Sequence, residues 1–124
     1  MWLALSDGWL SIVAHRDKPD HLLVRARKAS HIEEYFPNES MYEDSEADYP
    51  FRADVTRIKV GEMLLEYMAN MQYDNFKNSV DDTQLHFSYK KVHHRMEQYG
   101  LKYRPKENTT HIDESTWNSW GRGY

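Results

Sequence analysis

Arg25, Arg27 and Arg52, together with Trp2 and Trp9, are the residues of this chain whose types and spacing suit binding chemistry. The run "HLLVRARK" alternates, so Leu22, Val24 and Ala26 share one side of a strand, while Leu23, Arg25 and Arg27 share the other. The same alternation packs Met1, Leu3 and Leu5 inward beside Leu10, Ile12 and Ala14. It turns Trp2, Trp9, Val13 and His15 outward, and Arg52 joins them from a later strand. Aromatics interleaved with arginines on an open sheet are what single-stranded nucleic acid or a nucleotide uses: rings and guanidinium planes stack bases, and arginine forks bind phosphate. Two other fates compete for this face. Nearby Glu and Asp can pair the arginines while the last helix or the tail covers the tryptophans, or the face can meet a protein partner.

Other groups carry weaker chemistry. Glu43, Asp44, Glu46 and Asp48 form an acidic loop, too dense and too polar for a tuned acid–base pair, because tuning needs burial. That stretch reads first as a solvated loop; the sharper alternative is an anionic face that mimics phosphates in a basic groove. His93 and Glu97 lie one helical turn apart, with His86 two turns before His93, but a third ligand at metal-site spacing is missing. No metal is therefore expected. His15 and His21 flank a turn. There is no phosphate-binding glycine loop and no nucleophile elbow, and Ser11, Ser30 and Ser88 have no motif context.

The composition bounds the class. The 124 residues suffice for one domain, expected over residues 1–100, with 101–124 as a flexible tail carrying aromatic hooks. The absence of cysteine excludes disulfides and thiolate chemistry, and a cytoplasmic protein is the simplest expectation. No apolar run approaches membrane-spanning length. The N-terminal "MWLALSDGWL" lacks a basic first region and is broken by Ser6-Asp7-Gly8, so it reads as strands rather than a signal peptide. A net charge of −4 weakens general polyanion binding and leaves room for a local basic patch.

The elements that must position the arginines follow from patterning. Residues 1–5 and 9–16 read as a hairpin, with Asp7-Gly8 supplying the positive φ of a tight turn. Residues 21–28 form a third strand after the turn "RDKPD". Ser30 and Glu33 have capping-box spacing and open a short helix whose apolar side is Ile32, Tyr35 and Phe36. Residues 38–48 read as loop. Residues 49–55 resume alternation, with Tyr49, Phe51, Ala53 and Val55 on one side and Pro50 placing the strand's start at an edge. Thr56 caps a helix to about Gln72, striped by Val60, Leu64, Tyr67, Met68 and Met71. Asp82 opens a last helix lined by Leu85, Tyr89, Val92, Met96 and Tyr99, with Gly100 at its C-terminal cap. The order β-β-β-α-β-α-α predicts an α+β fold, a small antiparallel sheet with helices on one face.

The opening "MWLALSDGWLSIVAHRDKPDHLLVRARKASHIEEYFP", then "DYPFR", "YDNFK" and the last helix from Tyr89, resemble a family of small uncharacterised bacterial proteins that also occur on phages and mobile elements. The family pattern runs MW-(I/L), G-(F/W)-(F/L)-S, VRAR, (D/Y)-Y-x-FR, Y-x-NFK, and the likeness spans residues 1 to about 99. It departs at Trp9, where phenylalanine is more usual, and after Gly100. The resemblance implies a shared fold and a common surface at Trp2, Ser11, Arg25, Arg27, Phe51, Arg52, Tyr73, Asn75, Phe76 and Lys77, with no activity or cofactor. Asn75 and Lys77, on the short linker before the last helix, are expected within reach of the arginine patch. Small size and a phage distribution imply a protein that acts by binding, such as an inhibitor of a host defence nuclease.

The expectation is thus a non-enzymatic binding module without a cofactor. Its partner is a protein, in a nucleic-acid-processing complex, met by the arginine face or the acidic loop. The alternative is direct binding of single-stranded nucleic acid or a nucleotide through Trp2, Trp9, Arg25, Arg27, Arg52 and Lys77. A hydrolase built on a histidine–carboxylate site is the weakest reading.

Overall fold

A computed structural model describes residues 1–104. The chain is α+β, and it groups into two compact units, Met1–Gln72 and a second that begins at Tyr73. Among the described residues no helix is long and apolar enough to cross a membrane.

The first unit is a five-stranded antiparallel sheet with two helices. Strands β1 (Trp2–Leu5), β2 (Gly8–Ala14) and β3 (His21–Ala26) form the expected meander. Helix α1 (Ala29–Tyr35) follows, then β4 (Met41–Glu43), β5 (Phe51–Thr56) and helix α2 (Arg57–Ala69). The strand order is β1-β2-β3-β5-β4. One face carries the core predicted by alternation: Leu5, Leu10, Ile12, Val24, Ala26, Ala53 and Val55 are buried against Ile32 and Phe36 of the α1 segment and Val60 of α2. Met1 and Ala14, expected in that core, are exposed where their strands run out.

Several local expectations give way to tertiary contacts. No described residue has a positive φ, so Gly8 does not serve the hairpin through an unusual backbone. Its use is space: a Cβ there would lie 3.0 Å from Cβ and Cγ of His31 and 3.1 Å from its Cα. Helix α1 sits that close because its start is pinned to the hairpin, with the Trp9 N–H donating to His31 Nδ1 at 3.2 Å. The helix therefore begins at Ala29, with Lys28 as N-cap and no side-chain cap, and Ser30 lies inside the first turn rather than capping it. The Ser30–Glu33 capping box is not formed.

Residues 38–48 are not all loop, since they contain β4. This short strand takes the sheet edge, so β5 is an inner strand and Pro50 precedes it rather than marking an edge. Pro50 has no N–H to give, but its carbonyl accepts from the Asp44 N–H at 2.8 Å. Thr56 caps α2 as expected, accepting from the Lys59 N–H at 3.3 Å. Val60 is buried, with Leu64 and Tyr67 packed on the core, while Met68 and Met71 are exposed.

The second unit opens with a 3-10 turn, Lys77–Ser79, and continues as helix α3 (Thr83–Leu101). Asp82 caps α3, its carboxylate accepting from the Leu85 N–H at 3.0 Å. The rings of Tyr73, Phe76 and Tyr89 form a chain of contacts with centroids 5.8 and 5.3 Å apart. Helix α3 runs through Gly100, so that glycine is not the terminal cap. The aromatic hooks expected in the tail lie outside the described residues.

Candidate binding face on the outer side of the sheet

Strand register decides which outward residues meet. On the face opposite the core, one row crosses all five strands: Trp2, Ser11, Arg25, Arg52 and Tyr42, each paired with the next. Neither α1 nor α2 lies on this side, because both deliver their apolar residues to the other. Arg25 and Arg52 stand directly opposite one another, a like-charge pairing that costs stability in a sheet.

Each arginine is held, but not neutralised. The Arg25 guanidinium donates from Nη2 to Ser11 Oγ at 2.7 Å and lies 4.8 Å from the Tyr49 ring centroid. Its Nε–H is buried with no hydrogen-bond partner, which leaves an uncompensated donor at the site. Arg52 donates from Nε to the Tyr49 carbonyl at 3.2 Å. Among the described residues, neither has a carboxylate within ion-pair distance. Arg27 differs: its Nη2 meets Asp48 Oδ2 at 3.0 Å, and its guanidinium lies 4.1 Å from the Tyr49 centroid. Burial works against its charge, but Asp48 and Tyr49 outweigh that and raise its pKa further.

Tyr49 is the organiser that alternation misplaced. It precedes β5, so strand periodicity does not govern it, and its buried ring lies beneath two outward arginines instead of joining the core with Phe51, Ala53 and Val55. Ser11 is fully buried at 0% exposure. Its small side chain leaves room for Arg25 to lie flat, and its hydroxyl oxygen accepts. Sequence spacing alone gave Ser11 no role; the register opposite Arg25 was the signal that could have found it.

Val13, Leu23, His15, Arg25, Arg52 and Tyr42 line a shallow depression of about 330 Å³ on this face. Arg16 and Asp17 complete a mixed polar and apolar lining, in which Val13, Leu23 and the paired cations suit an anionic group carried on an apolar body. Trp2 is 70% exposed at the far end of the row and packs on Trp9 with ring centroids 5.8 Å apart.

At the other rim, Asp54 accepts from Tyr42 OH (2.9 Å), Lys18 Nζ (3.1 Å) and His15 Nε2 (3.1 Å). Burial raises the Asp54 carboxyl, but these three partners outweigh it and hold its pKa below the ordinary value. Burial and then the Asp54 bond raise the Tyr42 phenol. The His15–Asp54 pair has the composition of an acid–base dyad, yet both ring nitrogens are taken. Nε2 faces Asp54, and Nδ1 accepts the N–H groups of Asp17 (3.0 Å) and Lys18 (3.1 Å). With no lone pair left for a substrate proton, this group locks the turn at residues 16–20.

The remaining candidates lie away from the arginine pair or make local contacts. Glu43 ends β4, the Asp44 carboxylate accepts from the Glu46 N–H at 3.2 Å, and Asp48 holds Arg27. In the second unit, Asn75 Oδ1 accepts from the Asn78 N–H at 3.2 Å, and the Lys77 carbonyl meets His86 Nδ1 at 2.8 Å. His93 and Glu97 form a loose pair at 3.8 Å. Among the described residues no three His, Cys, Asp or Glu side chains cluster as a metal site. Comparison of the chain with family models, curated proteins and solved structures gives no match.

Proposed function

We propose that the protein is a non-enzymatic binding module that takes an acidic protein partner on the outer sheet face, with Arg25 and Arg52 receiving its carboxylates. One observation carries this reading: two arginines face each other across β3 and β5, and neither has a carboxylate partner among the described residues. Protein hot spots are built from Trp, Tyr and Arg, and this row presents Trp2, Tyr42 and the arginine pair together. In the setting that the family resemblance implies, the partner belongs to a nucleic-acid-processing host defence complex, which the module inhibits by occupying a contact surface.

A second reading, direct binding of single-stranded nucleic acid, is favoured by the exposed rings at the two ends of the row. Trp2 and Tyr42 lie four strand spacings apart, about 19 Å, with the cations between them.

Two measurements separate the readings. Affinity capture from host extract, followed by mass spectrometry, is compared for the native chain and an Arg25→Glu/Arg52→Glu variant of matched circular dichroism. The protein-partner reading expects a component lost with the charge reversal; an unchanged set of captured proteins rejects it. Anisotropy of a labelled single-stranded oligonucleotide expects no binding at 50 mM salt. Binding that weakens about sevenfold by 200 mM salt, as two neutralised phosphates require, moves the assignment to nucleic acid.

A further inference from the structure

Helix α3 carries a second, independent surface. Leu85, Tyr89, Val92, Met96 and Tyr99 recur at spacings of four, three, four and three, the seam of a left-handed coiled coil. The seam changes state along its length. Tyr89 is buried and meets Phe76, whereas Val92, Met96 and Tyr99 are 44%, 58% and 54% exposed. The Tyr99 ring extends the line onto Tyr103, with centroids 5.2 Å apart.

Charge identifies the occupant. Residues 83–104 hold five Lys and Arg, at 90, 91, 95, 102 and 104, against the carboxylate of Glu97. The positions flanking the seam are His86, Ser88, His93, Arg95, Gly100 and Lys102, with no carboxylate among them. A second copy of this helix therefore offers Arg95 and Lys102 no opposite charge in either orientation, and two such basic helices repel. A stripe this narrow also fits a helix better than a membrane, which needs a broad apolar face. We propose that the open part of α3 docks an amphipathic helix of another protein, with apolar residues at heptad spacing and Glu or Asp flanking them.

The test uses the full chain and two synthetic helical peptides with the same Leu/Ile heptad seam, flanked by Glu in one and by Lys in the other. Fluorescence anisotropy is expected to show binding of the Glu-flanked peptide, at least tenfold tighter than the Lys-flanked one and weakening with salt. Met96→Glu, at an exposed position, is expected to lose that binding at least tenfold with helicity unchanged. Arg95→Glu/Lys102→Glu is expected to invert the peptide preference. The proposal is overturned if neither peptide binds, as when the chain's own residues 105–124 occupy the seam, or if both bind equally. It is equally overturned if sedimentation shows a dimer that Met96→Glu disperses, or if phosphatidylserine vesicles bind the chain through Met96 while the Glu-flanked peptide does not.

Discussion

The two faces of the sheet obey one alternation and end in opposite states. On the inner face, Leu10, Ile12, Val24, Ala53 and Val55 are closed over by α1 and α2. Even the hairpin's amides find partners on that side: the Ser6 N–H donates to Tyr67 OH at 3.1 Å and the Asp7 N–H to Tyr35 OH at 2.9 Å. On the outer face, two arginines oppose each other with no carboxylate partner among the described residues, and one of them keeps a buried donor unmade. Packing accounts for Leu10, Ile12, Val24, Ala53 and Val55, but not for the like charges of Arg25 and Arg52 set opposite each other.

The comparison breaks first where packing is densest. Ile12→Ala removes a buried side chain from the centre of the inner face and is expected to destabilise by about 2–5 kcal/mol in urea unfolding. A cost under 1 kcal/mol would falsify the claim that this face carries the stability. Gly8→Ala comes next. Its methyl meets the His31 backbone as well as its ring, so either the hairpin or α1 must shift, at a cost of about 1–3 kcal/mol. Equal midpoints for Gly8→Ala and the native chain would show that the contact relaxes freely.

The outer rim predicts a pH effect smaller than either. The folded Asp54 carboxyl titrates below its unfolded value because Tyr42, Lys18 and His15 outweigh burial. A depressed carboxylate contributes stability that is fully present above its unfolded pKa, about 3.9, and is lost as pH falls through the lower folded value. Unfolding midpoints of the native chain and Asp54→Asn should therefore differ at pH 6 and converge below pH 4. A constant gap across that range would mean that Asp54 acts through shape rather than charge.

How much of this was legible depended on whether local period or distant contact decided each residue. Alternation placed Arg25, Arg27 and Arg52 on one face and Leu22, Val24 and Ala26 on the other without any contact being known. It could not distinguish the three arginines, because Asp48, which takes Arg27, lies 21 residues away in the chain. The face of Tyr49 was misjudged because the strand begins only at Phe51. Strand β4 leaves no mark in the pattern because three residues inside an acidic run carry no period, and its pairing is set by β5. The α3 stripe has the pattern of a core helix, yet its C-terminal half is exposed. Periodicity states which residues share a side and is silent on what lies against it.

The smallest expected change in stability is the sharpest test of the contrast. Arg52 gives one hydrogen bond to the Tyr49 carbonyl and faces a like charge at Arg25. Arg52→Gln keeps a donor of similar reach and removes the repulsion, so its stability is expected to lie within about 0.5 kcal/mol of the native chain, on the stabilising side. Salt screening isolates the repulsion. If repulsion between Arg25 and Arg52 is real, raising salt from 20 mM to 500 mM should stabilise the native chain more than Arg52→Gln, because only the native chain has that pair to screen. Arg25→Gln serves as the contrast, since it also gives up Ser11 Oγ and the Tyr49 ring and should cost more. If Arg52→Gln instead cost 2 kcal/mol or more, with no difference in salt response, Arg52 would belong to the fold, and the outer face would hold no residue in excess of what folding needs.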